Sequence, residues 1–234
     1  MNNKIPPNKT DLDDDDDDFI SLQYKIILLG DGAVGKTSIA NRFTEDQFNN
    51  KYKQTFGVDF FIRKLNIPPK HNISLQIWDI GGQSIGSRMI TNYITGAHAV
   101  LLCYDITNYE SFANLEDWYR LVLKAFQGKD LPFTALIGNK NDLRHLCVVR
   151  IEQHMRFAEE NNMSSFLMSA KSGDQVKLAF VKIASLLAGI VMPKHELEAQ
   201  NVILPATIID HQRNDGKVDD SKVEEYFKPQ KSKC

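Results

Sequence analysis

The chain has 234 residues, 42% of them hydrophobic and 25% charged, and its 28 Lys+Arg against 30 Asp+Glu leave a net charge of −2. That is the composition of an ordinary globular protein long enough to bury a core, and it excludes an overall basic field directed at nucleic acid. The three cysteines (Cys103, Cys147 and Cys234) are too few and too far apart for a disulfide scaffold or a Cys-based zinc site, so a reducing compartment is expected.

Residues 1–21 hold seven Asp, including the run Asp13–Asp18, against Lys4 and Lys9. Self-repulsion and a lack of apolar residues predict a disordered acidic N-terminal extension there. From Tyr24 the character changes. Tyr24–Gly30 (YKIILLG) is an apolar run closed by glycine, with helix-type sequence from near Gly35, which reads as strand, turn and helix start. Phe56–Ile67 and Asn72–Ile80 are β-rich and separated by Pro68-Pro69-Lys70, the pattern of a hairpin. Ala97–Asp105 and Pro132–Gly138 read as buried strands, and Phe166–Met168 as a shorter one. Between them, Phe112, Leu115, Tyr119, Val122 and Phe126 keep helical spacing after a capping box at Thr107 and Glu110. Val176, Phe180, Ile183, Leu187 and Ile190 do the same after Ser172 and Gln175. This alternation predicts an α/β fold over residues 22–192. Its six-stranded sheet is mostly parallel, with one antiparallel edge strand and helices on both faces. Past Pro193 the periodicity fades, and residues 193–234 are expected to be a flexible tail.

The chemistry begins at Gly30-Asp-Gly-Ala-Val-Gly-Lys-Thr37, which fits G-x-x-x-x-G-K-[ST] at a strand-to-helix junction. The backbone N–H groups of Gly32, Ala33, Val34 and Gly35 suit phosphate oxygens, and the helix start through Ser38 adds positive potential. Lys36 would reach the β- and γ-phosphates and the Thr37 hydroxyl a Mg²⁺ ion. This loop alone fits ATPases, GTPases and nucleotide kinases equally. After the strand ending at Gly138 comes Asn139-Lys140-Asn141-Asp142. A carboxylate at Asp142 accepts from both donors on one edge of guanine, whereas the N1 of adenine would face it as a second acceptor. The Lys140 stem covers the base plane, and the loop Ser169-Ala170-Lys171 offers an N–H to the guanine O6. Trp78-Asp-Ile-Gly-Gly-Gln83 closes another strand. There Asp79 suits support of Mg²⁺ through ordered water, Thr55 a second protein oxygen on the ion, Gly82 an N–H for the γ-phosphate, and Gln83 orientation of the attacking water.

With these motifs in place, residues from about Ser21 to Met192 resemble a small GTPase of the Rab family within the Ras superfamily. Thr55–Phe60 (TFGVDF), Leu75–Asp79 (LQIWD) and Gly96–Asp105 are Rab-like, and WDIGGQ together with Asp105–Trp118 is most similar to the divergent Rab twenty-eight branch. The resemblance implies a P-loop GTPase G domain that binds GTP and GDP with Mg²⁺ and hydrolyses GTP slowly, with Lys36 and Gln83 as catalytic residues. Phe48 matches the aromatic packed on guanine, Tyr52 the one closing over the phosphates, and Phe60, Trp78 and Tyr93 the aromatic triad of the effector surface. Exchange factors, GTPase-activating proteins, prenyl-dependent carriers and trafficking effectors are the implied partners of a monomer. It would be cytoplasmic and reversibly held on the cytosolic face of membranes. Cys234, following Lys228, Lys231 and Lys233, is the implied prenylation site, with no C-a-a-X box. Four positions depart from the pattern: Ile80-Gly81 replaces Thr-Ala, Ser84 stands in place of Glu, and Ala33 in place of Gly. A nucleotide-bound scaffold in which Gly81 and Ser84 mark lost turnover is the alternative left open.

Overall fold

A computed structural model describes residues 20–68 and 70–193. The expectations for the acidic extension before Ile20, for the tail beyond Pro193 and for Cys234 fall outside the described residues. Six strands form one sheet: β1 (Ile20–Leu29), β2 (Val58–Ile67), β3 (His71–Ile80), β4 (Ala99–Asp105), β5 (Phe133–Asn139) and β6 (Ser164–Leu167). The order is β2-β3-β1-β4-β5-β6. β2 runs antiparallel to β3 from Val58 opposite Ile80 to Ile67 opposite His71, and every other pairing is parallel. The helices are α1 (Lys36–Glu45), α2 (Ile90–Ile94), α3 (Tyr109–Ala113), α4 (Leu115–Ala125), α5 (Ile151–Glu160) and α6 (Val176–Leu187).

The two-residue period of β1 builds the layers. Ile26 and Leu28 point to one face and pack with Ile39 and Phe43 of α1 and Phe180 and Ile183 of α6. Ile27 and Leu29 point to the other, against Ile90 and Ile94 of α2 and Leu115, Trp118 and Val122 of α4. All four strand residues are fully buried, which explains a continuous apolar run in place of alternation. The Phe43 and Phe180 rings stack at 4.0 Å and lock α1 to α6. β1 has β3 on one side and β4 on the other, so its carboxyl end is the switch point where a crevice opens in a parallel sheet.

Three local expectations are corrected. The capping box at Thr107 and Glu110 does not form. Asn108 caps α3 instead, its side-chain oxygen accepting from the amides of Glu110 (3.0 Å) and Ser111 (3.4 Å), while Thr107 donates its N–H and hydroxyl to Asp105. The helical stretch Phe112–Phe126 is also two helices, joined at Asn114. The Ser172–Gln175 box is likewise absent. Gln175 precedes α6 in the left-handed region (φ 60°) with no side-chain cap, and the Ser172 hydroxyl accepts from the Asp174 amide. Cys103 is buried in β4, whereas Cys147 is exposed on a loop.

Candidate functional site

A cavity of about 520 Å³ lies at the carboxyl ends of the strands. Its walls are the loop from β1 to α1, the segment Phe48–Thr55, the turn after β3 at Gly82 and Gln83, and the loops after β5 and β6. Of the residues singled out by sequence, Gly32, Ala33, Gly35, Lys36, Thr37, Ser38, Phe48, Tyr52, Thr55, Gly82, Gln83, Asn139, Lys140, Asp142, Ala170 and Lys171 all line it. Val34, Ser169 and Asp79 do not. Val34 is a core side chain, while Ser169 and Asp79 are fully buried behind the wall and act on residues in it.

At one end of the cavity, Lys36 is 6% exposed and its ammonium donates to the carbonyls of Gly30 (2.7 Å) and Asp31 (2.8 Å). Burial pulls its pKa below the ordinary lysine value, against the opposing charges of Asp79 and Asp31. The Thr37 and Thr55 hydroxyls are 3.1 Å apart, and both reach the same oxygen of Asp79. Burial pushes the Asp79 carboxyl above its ordinary value, opposed first by the Thr37 hydrogen bond and then by Lys36. Its other oxygen, Oδ1, is buried with no hydrogen-bond partner. Two hydroxyls and a half-satisfied carboxylate, all oxygen and all converging, are the donor set of a hard divalent cation. Gln83 accepts a hydrogen bond from Gln54 (2.8 Å), and the Tyr52 side chain reaches over Gly32.

At the other end, Asp142 is fixed by the Ser169 hydroxyl, which donates to its Oδ1 at 2.6 Å. Ser169 in turn accepts from the Ser172 amide. Lys140 adopts the left-handed conformation and its ammonium pairs with Asp105 at 2.7 Å, which lays the stem along the cavity edge. Asn139 donates to the Val34 carbonyl (2.9 Å) and accepts from the Ala170 amide (3.1 Å), which leaves a second amide N–H. It ties the loops after β1 and β6 to the end of β5 while lining the cavity.

Outside the cavity, Phe60 of β2, Trp78 of β3 and Tyr93 of α2 form one chain of rings, with centroids 4.6 Å and 6.5 Å apart. Phe60 is 59% exposed, and the Lys25 ammonium sits 3.8 Å over the Trp78 ring.

Sequence reasoning missed three supports of the site. Arg42 of α1 donates to the carbonyls of Ala170 (2.9 Å) and Lys171 (2.8 Å), holding the loop after β6. Gln54 engages Gln83, and Asp31 is anchored from α4. A helix-face Arg, a loop Gln and a variable position of the glycine motif carry no local signal for these contacts.

A mostly parallel sheet whose carboxyl ends gather a glycine-rich loop, converging oxygen donors and a fixed carboxylate around one cavity is the architecture of a P-loop nucleotide-binding fold. Residues 25–188 match the Ras family. The chain is 42% identical to Ras-related protein Rab-28 of Caenorhabditis elegans, over 87% of its own length and 81% of that protein's. It is 37% identical to Ras-related protein RABA1c of Arabidopsis thaliana (76% and 81% covered) and 40% to Ras-related protein Rab-13 of Canis lupus familiaris (69% and 78%). The chain belongs to the Ras family, among the Rab-type small GTPases, enzymes that hydrolyse GTP.

Proposed function

We propose that the G domain over residues 22–192 is a Mg²⁺-dependent switch that holds GDP or GTP in the cavity, hydrolyses GTP slowly and recruits trafficking effectors while GTP is bound. The observation that carries this reading is the joining, in one cavity, of the Lys36–Thr37 loop with the Ser169-fixed carboxylate of Asp142. Asp142 accepts from the guanine N1–H and 2-amino group, and its orientation by Ser169 makes that edge selective. Phe48 and the Lys140 stem flank the base. The backbone from Gly32 to Gly35, with Lys36, Ser38 and Tyr52, surrounds the phosphates, whose negative charge favours the ammonium that burial otherwise penalises.

Thr37 and Thr55 fit Mg²⁺ directly and Asp79 through water, the buried Oδ1 being a natural acceptor for that water. The ion, when bound, neutralises charge on the β- and γ-phosphates. Gly82 offers its N–H to the γ-phosphate and Gln83 orients the attacking water, so the chain's contribution to catalysis is positioning and electrostatics. Thr55 and Gly82 lie on segments that answer to the γ-phosphate, which is how hydrolysis would be felt at Phe60, Trp78 and Tyr93. Exchange factors, activating proteins and prenyl-dependent carriers are the matching partners. A prenyl group on Cys234 would give reversible residence on the cytosolic face of a membrane, since one lipid anchors marginally and nearby lysines add ~1 kcal/mol each. No helix among the described residues is long and apolar enough to cross a membrane.

The test is to denature the purified full chain in EDTA and identify the released nucleotide by anion-exchange chromatography. GDP near one equivalent is expected. Predominantly GTP would favour the low-turnover scaffold, and an adenine nucleotide would overturn the role of Asp142.

A further inference from the structure

The second residue of the glycine-rich loop is a carboxylate, a poor neighbour for bound phosphates unless something turns it away. Both of its oxygens are held. The Asn114 side-chain amide donates to Asp31 Oδ2 at 2.7 Å, and the Trp118 indole N–H donates to Oδ1 at 2.8 Å. The two donors are four residues apart, on one face where α3 gives way to α4. Trp118 is fully buried against the second face of the sheet, in the same cluster as Ile90 and Ile94 of α2, so its indole is a rigid anchor.

The backbone of Asp31 is committed as well. Its carbonyl accepts from the Lys36 ammonium, and the Asp31–Gly32 peptide lies directly against Gly82. A Cβ at Gly82 would fall 2.1 Å from the Gly32 nitrogen and 2.4 Å from the Asp31 carbonyl carbon. One residue thus joins the α3–α4 junction, the phosphate lysine and the glycine that follows β3.

We propose that Asn114 and Trp118 are positioning residues of the phosphate cradle and act through Asp31. They turn its carboxylate away from bound phosphate and hold its peptide where Lys36 and Gly82 meet it. The proposal rests on the nucleotide reading of the cavity. Without the anchors the freed carboxylate repels the phosphates and the loop loosens, so the quantity governed is nucleotide retention.

The experiment measures dissociation of a fluorescent GDP from the full chain carrying Trp118→Phe, Asn114→Ala, Asp31→Ala, and each of the first two combined with Asp31→Ala. Trp118→Phe removes the indole donor and keeps an aromatic ring, while Asn114→Ala lies at the half-buried junction and spares the core. Each should speed GDP release on the order of tenfold, and neither should add to Asp31→Ala. Equal effects with and without the Asp31 carboxylate would overturn the proposal, because a purely structural role is blind to that carboxylate. Hydrogen exchange at amides 31–35 of nucleotide-stripped protein gives a second readout. Faster exchange in Trp118→Phe and Asn114→Ala than in wild type is expected, and unchanged exchange in both overturns the anchor. A wild-type chain that binds no GDP would defeat the functional reading alone, since the exchange measurement still decides the anchor.

Discussion

Asn139 donates to the carbonyl of Val34, 105 positions earlier, while its carbonyl oxygen accepts from Ala170, 31 positions later. One side chain at the end of β5 therefore fixes the loop after β1 and the loop after β6 to the strand between them. Both partners are buried, so Asn139→Ala leaves two backbone groups unpaired. The expected loss is about 2 kcal/mol. That corresponds to a fall of roughly 4 to 8 °C in the melting temperature of nucleotide-stripped protein. Calorimetry on the stripped protein checks it, and an unchanged melting temperature would show that water replaces both bonds.

Gly81 stands where the family pattern has Ala, and its surroundings explain what glycine allows. A Cβ there would lie 2.4 Å from the Thr55 carbonyl oxygen and 3.4 Å from that of Gly57, which accepts the Gly81 amide at 2.9 Å. Restoring the family residue with Gly81→Ala should push Thr55 away from Thr37. If Thr55 belongs to a γ-phosphate-sensing segment, as proposed above, affinity for a non-hydrolysable GTP analogue should fall about tenfold with GDP affinity nearly unchanged. Titration of both nucleotides decides it. An equal change for the two would mean that Gly81 does not distinguish the states.

Much of this architecture is legible in the sequence because buried parallel strands are continuous apolar runs with turn residues at their ends, as in Ala99–Asp105 and Phe133–Asn139. The nucleotide loops are legible for a related reason, since phosphate and guanine each demand particular groups at fixed spacing. Helix α5 was not expected, and its composition shows why. Its buried face carries His154, while Ile151 and Met155 are 47% and 43% exposed, so the apolar period is broken on both faces. The division of α3 from α4 is equally silent, because Asn114 keeps helical backbone angles across it. Contacts such as Asp31 with Trp118 or Asp142 with Ser169 span 87 and 27 positions, and only the folded sheet brings them together.

Gln83 offers its side-chain oxygen to Gln54 at 2.8 Å, and that oxygen is the acceptor a catalytic glutamine would present to water. Gln83→Leu removes the acceptor and should slow single-turnover GTP hydrolysis about tenfold or more while GTP binding persists. Gln54→Ala should act in the opposite direction, speeding hydrolysis a few-fold (on the order of one neutral hydrogen bond) by releasing that oxygen. Single-turnover phosphate release reads both variants. An unaltered rate in Gln83→Leu would remove its catalytic role, and a slower rate in Gln54→Ala would recast the Gln54 contact as support for Gln83.

His154 predicts how the domain responds to acid. It is 2% exposed behind β4, with Nδ1 3.0 Å from the Tyr104 hydroxyl, and burial pulls its imidazole down to about 4. The same burial raises the Tyr104 phenol, so that group stays protonated across the whole acid range. A folded pKa below the unfolded value of 6.5 means that the unfolded chain takes up the proton first. Neutral His154 is therefore compatible with the fold above pH ~6.5, and stability falls as the pH drops from there towards 4, by up to about 3 kcal/mol from this residue. Other histidines and the carboxylates also titrate in acid, so the decisive quantity is a difference between proteins. Urea midpoints at pH 7 and pH 4.5 should separate less in His154→Phe than in the wild type, because phenylalanine has no proton to gain. Equal separation in the two proteins would show that the imidazole is charged in the folded state at no cost.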